Sequence, residues 1–200
     1  MSEKFWDNSY SDKAFVYGKQ ANRFVQVMSN RLNSRSTVAC FAEGEGRNAV
    51  YLAELGHDVI AYDQSSVGLK KAQQLAKEKG VSVQVEQKDL TKEIVPVNKY
   101  DAAVMVFGHV PREKQRFLIH NMLASVKTGG YLILEVYSED QLAYRTGGPK
   151  ETAMLYNPID LLTWLREQKW IHFYYGEAER HEGIRHSGLC HVIQVVVQKQ

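Results

Sequence analysis

The residues Glu43-Gly44-Glu45-Gly46-Arg47-Asn48 stand where a short apolar run gives way to a helical pattern. Two glycines let a backbone turn tightly and let a ligand approach it closely. The free N–H groups and positive dipole end of the helix that follows favour anionic groups. With Ala49 the stretch fits the G-x-G-x-x-G/A form of a dinucleotide site. A strand–helix turn without a ligand would use the same residues, so the turn alone identifies nothing. Asp63, seventeen positions after Gly46, closes the next apolar run, with Gln64 beside it. A carboxylate there can accept hydrogen bonds from both hydroxyls of a ribose. It is equally suited to cap the helix that begins near Ser65. In Gln87-Lys88-Asp89-Leu90, Asp89 can accept from the exocyclic amine of adenine while Leu90 packs on the ring. In Val106-Phe107-Gly108-His109-Val110-Pro111, Phe107 and Gly108 would wall the reacting end of a site. His109 is the first candidate for a base.

These residues need strands to end beside one another. Thr37 to Phe41, His57 to Tyr62, Val81 to Glu86, Tyr100 to Phe107 and Gly130 to Val136 read as strands. Between them, Asn48 to Leu55, Ser65 to Lys79 and Pro111 to Val126 read as helices, two of them stopped by Gly56 and Gly80. Ala21 to Leu32 reads as a helix ahead of the first strand. Strands this apolar are buried on both faces, as in a parallel sheet covered by helices. Right-handed crossovers then give an open, doubly wound α/β sheet. The last third breaks the rhythm. Asn157 to Gln168 reads as a helix, and the strands Trp170 to Glu179 and Leu189 to Val197 follow without a helix between them. Joined by His181 to Gly188, they predict an antiparallel hairpin at the sheet edge.

The four site elements, in this order, resemble class I S-adenosylmethionine-dependent methyltransferases. Lys127-Thr128-Gly129-Gly130 before the fifth strand is similar to the family's K-P-G-G turn, with Thr128 at the proline position. Gly44-Glu45-Gly46-Arg47-Asn48, Thr146-Gly147-Gly148-Pro149-Lys150, Phe5-Trp6-Asp7-Asn8-Ser9-Tyr10 and Val16-Tyr17-Gly18 resemble the branch of tellurite-resistance and thiopurine methyltransferases. The resemblance covers nearly the whole chain. It implies a Rossmann-like, seven-stranded, mainly parallel sheet with helices on both faces and a C-terminal antiparallel hairpin. It implies one domain: a lid and helix over 1–32, a cofactor core over 37–137, and an acceptor-side loop, helix and hairpin over 138–200. It also implies S-adenosylmethionine as cofactor and a small-molecule methyl acceptor, reached by in-line displacement. The family's first motif is usually D-x-G-x-G-x-G; here Cys40 holds the aspartate position and Ala42 that of the first glycine.

On this reading Glu43 is expected to meet the cofactor's ammonium, and Arg47 its carboxylate or an acid such as Glu43 or Glu54. Trp6, Tyr10 and Tyr17 can face the sulfonium by cation–π contact, on a segment that folds over the site or anchors itself to the core. Tyr144 and Thr146 to Lys150 would shape the acceptor pocket. His181, His186 and His191 read as structural or surface residues. The glycine pattern and Asp63 also permit a nicotinamide-dependent oxidoreductase, and a non-catalytic S-adenosylmethionine-binding regulator would need no other residues.

The 200 residues carry a formal net charge of +2, with both signs mixed along the chain. That is too mild and too dispersed to argue for a nucleic-acid footprint. No apolar stretch is long enough to cross a membrane and no signal-peptide pattern opens the chain. Cys40 and Cys190 lie in apolar runs and read as small buried hydrophobes. A reducing, cytoplasmic setting is expected. No histidine–cysteine spacing suggests a metal site.

Overall fold

The computed structural model describes residues 2–183 and 186–200. Five parallel strands are β1 (Thr37–Phe41), β2 (Asp58–Asp63), β3 (Gln84–Gln87), β4 (Tyr100–Val106) and β5 (Val126–Tyr137). Two antiparallel strands follow, β6 (Lys169–Glu182) and β7 (His186–Gln198). The sheet order is β3-β2-β1-β4-β5-β7-β6, so the last strand inserts beside β5 and leaves β6 at the edge. This is the seven-stranded, doubly wound α/β sheet that the resemblance implies.

Alternation along β1 shows why both faces need helices. Ala39 and Phe41 join a core with Leu118, Ile119 and Met122 of α5 (Arg112–Ser125) and Leu161 of α6 (Pro158–Trp164). Val38 and Cys40 join the opposite core, with Phe24 of α2 (Arg23–Met28), Leu52 of α3 (Arg47–Glu54) and Leu75 of α4 (Ser66–Glu78). Strands apolar at every position are thereby buried on both sides.

The differences from the sequence reading have local causes. The helix expected over Ala21 to Leu32 is α2 followed by a 3-10 turn, because Asn22 caps it by accepting from the Val25 N–H at 3.1 Å. Asn157 caps α6 in the same way. The third strand starts at Gln84, since Val81 still closes the end of α4 by donating to the Ala76 carbonyl. β5 begins at Val126, and Lys127 to Gly130 form an irregularity in its register with β4 rather than a free turn. β3 and much of β6 are exposed edges rather than fully apolar strands. The hairpin is longer than expected: Glu182 and His186 still pair within it. Its continuation is hidden in sequence because Arg180, Glu182 and His186 are polar yet buried.

Their burial is explained by a polar cluster on the α2–α3 side of the sheet. Glu135, in the middle of β5, is fully buried. Its carboxylate accepts from Arg180 Nε at 3.1 Å and again from Arg180 Nη2, from Asn22 Nδ2 at 2.7 Å and from Gln194 Nε2 at 2.6 Å. Asn22 also donates to Glu182, whose carboxylate lies 2.6 Å from Arg47 Nη2. Buried charges are tolerated when paired and hydrogen-bonded in this way. The cluster ties α2, α3, β5 and the hairpin together beneath one end of the sheet.

One element lies outside the sequence reading altogether. The N-terminal segment forms a helix, α1 (Glu3–Tyr10), capped by Ser2 accepting from the Phe5 N–H. It packs on α4.

Candidate active site

A cavity of about 1140 Å³ opens at the carboxyl ends of the parallel strands. That edge, where the strand order reverses between β1 and β4, is where open α/β sheets bind ligands. α1 and residues 10–18 cover one side, and the loop 145–151 covers another.

The glycine turn forms its floor. Gly44 and Gly46 have φ of +60° and +88° and do not face the cavity. A Cβ on Gly44 would lie 2.5 Å from the Tyr10 hydroxyl, and one on Gly46 would collide with Ala72 of α4. Their expected part in contacting a ligand is therefore replaced by close packing of α1 and α4 on the turn. Glu43 Oε1 accepts from the Asn48 and Ala49 N–H groups, both at 2.8 Å, and so caps α3. Burial, opposed by those bonds and by Arg47, pushes its carboxyl up to about 7. Glu45 lines the cavity and is engaged by Lys71 and by the N-terminal segment. Arg47 pairs with Glu182 rather than with Glu43 or Glu54, and donates to the Tyr17 carbonyl at 3.4 Å. Asn48 Oδ1 accepts from the Asn22 N–H at 2.9 Å.

Asp63 lines the cavity from the end of β2. Its two oxygens accept from the Gly44 N–H at 2.9 Å and the Ser65 N–H at 2.8 Å. It holds the turn against the start of α4, whose N-cap is Ser65 itself, accepting from the Gly68 N–H at 3.0 Å. Burial raises its carboxyl to about 6. Gln64 and Leu90 also line the wall. Asp89 lines it too, with its carboxylate held by the Thr91 N–H and hydroxyl and by Lys92 at 2.8 Å.

At the end of β4, Phe107 takes φ +54° and stacks on Tyr137, with ring centroids 4.2 Å apart. Gly108 has no room for a Cβ beside Met105. His109 is buried on the cavity wall beside Tyr137 and Tyr156. Its Nδ1 lies 2.9 Å from the Met154 carbonyl, and its Nε2 accepts from the Tyr137 N–H at 3.4 Å. Those partners require the neutral Nδ1–H tautomer, and burial lowers its pKa to about 4. Both ring nitrogens are engaged by backbone groups, so His109 braces the Phe107 turn while lining the cavity.

Sequence reasoning missed His186. It lies on the cavity wall, edge-on to Phe107 at 4.7 Å and near Tyr17 at 4.6 Å. In sequence it falls in the connection His181 to Gly188 and reads as a structural or surface residue. Trp6, Tyr10 and Tyr17 all line the cavity, with Trp6 stacked on Tyr10 at 5.6 Å. Thr146 to Lys150 line it as expected, joined by Arg145. Tyr144 does not; its hydroxyl donates to Glu177 on β6.

Residues 38–130 match a sequence family described as a methyltransferase domain. The TehB proteins of two Haemophilus influenzae strains, each described as a probable S-adenosyl-L-methionine-dependent methyltransferase, are 29% identical over 102 residues. Over its central part the chain is therefore similar to S-adenosylmethionine-dependent methyltransferases. The match covers 50% of this chain but only 35% of those relatives. The crystal structure of Haemophilus influenzae TehB superposes with a TM-score of 0.74 at 18% identity, covering 99% of this chain and 67% of that one. Magnesium protoporphyrin IX methyltransferase from Synechocystis, solved with bound SAH, gives 0.66 at 16% identity, covering 99% and 83%. At these identities the two structures establish the fold.

The departure from the resembled motif at Ala42 has a structural cost. Ala42 stands at the family's first glycine position with φ +49°. A left-handed residue with a Cβ costs about 1–2 kcal/mol, partly offset by the greater unfolded-state freedom of glycine. Ala42→Gly is therefore expected to stabilise the protein by about 0.5–1 kcal/mol, read as a higher urea midpoint at unchanged slope. A lower midpoint would mean that the Ala42 methyl contributes more through packing than the strain costs.

Proposed function

We propose that the chain binds S-adenosylmethionine in this cavity and methylates a small molecule. The observation that carries the reading is Asp63, an acidic acceptor held by two backbone N–H groups on the cavity wall. The residues present fit the cofactor: an acidic acceptor on the wall suits a vicinal diol, and a wall of Trp6, Tyr10, Tyr17 and Phe107 suits a cationic sulfur. Asp63 would take the ribose, with Gln64 beside it; Asp89 and Leu90 would take the adenine. Glu43, Arg47 and Asn48 would border the methionine end, with Gly44, Glu45 and Gly46 acting through the shape of the turn. When bound, the cofactor supplies a methyl group already activated on positive sulfur. The protein's own work is to orient an acceptor and exclude water. Phe107, Gly108 and His186 wall that end, and the loop 145–151 closes it. No base is assigned.

The dispersed charge supports a small acceptor rather than nucleic acid. No described helix is long and apolar enough to cross a membrane. Both cysteines are free and buried, which supports a reducing, cytoplasmic setting. Transfer of labelled methyl to a panel of thiols, selenite, tellurite and small amines tests the reading. Cofactor binding with no transfer to any acceptor would favour a regulator.

A pH dependence follows from the raised carboxyls. Asp63 holds its proton to about 6 against an ordinary 3.8, and Glu43 to about 7 against 4.5. The native state thus binds more protons, so ligand-free stability falls as pH rises from about 4 to 7. A ribose needs the ionised Asp63, so affinity runs the other way. It is expected to be roughly tenfold weaker at pH 5 than at pH 7, by linkage to one proton with a pKa near 6. Calorimetry across pH 5–8 checks this; a flat profile would remove Asp63 from the binding step.

A further inference from the structure

Glu45 and Lys71 are both buried, and no step of the proposed methyl transfer uses them. Lys71 projects from α4 into a cage of oxygens. Its Nζ donates to the carbonyls of Ala14 at 2.6 Å, Asp12 at 2.9 Å and Tyr10 at 3.4 Å, and pairs with Glu45 Oε1. The Phe15 ring lies 4.8 Å from the same ammonium. The other oxygen of Glu45 accepts from the Val16 N–H at 2.8 Å and the Tyr17 N–H at 3.4 Å. One ammonium therefore gathers the carbonyls of residues 10–14, and one carboxylate gathers the N–H groups of 16 and 17. Both charges are satisfied by the same strap of chain.

That strap has no sheet or helix of its own between Ser11 and Asn22. It carries Tyr10 and Tyr17, rings 6.3 Å apart, to the cavity wall. At its far end α1 is held by weaker, more exposed contacts: Asp7 accepts from the Ser65 hydroxyl, and Glu3 accepts from Gln87. Glu45 belongs to the glycine turn, so the strap is pinned to the same turn that Asp63 holds.

We propose that Glu45 and Lys71 are positioning residues that clamp residues 10–17 against the glycine turn and so set Tyr10 and Tyr17 for the ligand. The ligand part of this inference rests on the proposed cofactor site; the clamp does not. Lys71→Met alone would strand a buried carboxylate, so the informative variant is Glu45→Gln/Lys71→Met, which removes both charges. In the intact chain, amide exchange at Val16 and Tyr17 is expected to quicken at least tenfold relative to the sheet amides of β1 and β4. Affinity for S-adenosylhomocysteine should fall about tenfold, while Lys71→Arg, which keeps the charge, should remain within about threefold of the parent. A folded double variant with unchanged exchange at residues 16 and 17 overturns the clamp. So does quickened exchange with unchanged affinity, in a parent that binds. If the parent does not bind S-adenosylhomocysteine, the cofactor reading fails, and quickened exchange in the variant still supports the clamp. If the double variant does not fold, the Lys71→Arg exchange decides: protection at Val16 and Tyr17 lost with the sheet intact contradicts an ammonium cage satisfied by any cation.

Discussion

Asp63→Ala is expected to weaken S-adenosylhomocysteine binding by about 2–3 kcal/mol, roughly 30- to 150-fold, while barely changing the stability of the ligand-free protein. The two halves of this expectation have different origins. Two ribose hydroxyls would lose their acceptor in a site shielded from water, where unmet hydrogen bonds are expensive. In the ligand-free protein the ionised carboxylate is itself poorly placed, because burial raises its pKa to about 6 from 3.8. That rise works against the folded state at neutral pH, where the carboxylate is ionised. Losing the bonds to Gly44 and Ser65 is offset by losing that penalty. Asp58→Ala, an exposed change at the other end of the same strand, is the control and should alter neither quantity. Equal affinities for the two variants would show that Asp63 serves only the turn and the start of α4.

Arg180→Met is expected to act in the opposite sense, on stability first. It leaves the Glu135 carboxylate buried with Asn22 and Gln194 but without its two arginine bonds. Breaking one partner of such a pair typically costs about 3–5 kcal/mol, a large share of a domain's stability. Glu135→Gln/Arg180→Met, which removes both charges, should recover a good part of that loss, because no unpaired charge remains. Urea unfolding of the parent, both single variants and the double variant measures the coupling. Additive losses would mean that the pair contributes nothing as a pair. The cluster reaches Arg47 through Glu182, so the damaged variant should also bind ligand less tightly.

Apolar order was the legible part of this sequence. β1 was readable to the residue, because Val38 to Phe41 are apolar at every position and a glycine turn follows. The hairpin was readable in kind but not in length, since Arg180, Glu182 and His186 look like loop residues until Glu135 and Tyr137 are seen facing them. α1 escaped because its apolar stripe is short and its packing partner is α4, sixty residues away. The positions of the candidate site residues were legible from order along the chain; what each one touches was not. Glu43 became a helix cap, Glu45 a clamp and Arg47 the partner of Glu182, because spacing tells which loop a side chain occupies and not which way it turns. The two backbone partners of His109, contributed by Met154 and Tyr137, were likewise out of view.

The central claim is that the cavity over the glycine turn takes S-adenosylmethionine. Parallel calorimetric titrations with S-adenosylhomocysteine and with NADH test it most directly, since the same turn and Asp63 could serve either ligand. Micromolar binding of S-adenosylhomocysteine, weakened by Asp63→Ala, and no binding of NADH are expected. NADH binding without S-adenosylhomocysteine binding would contradict it.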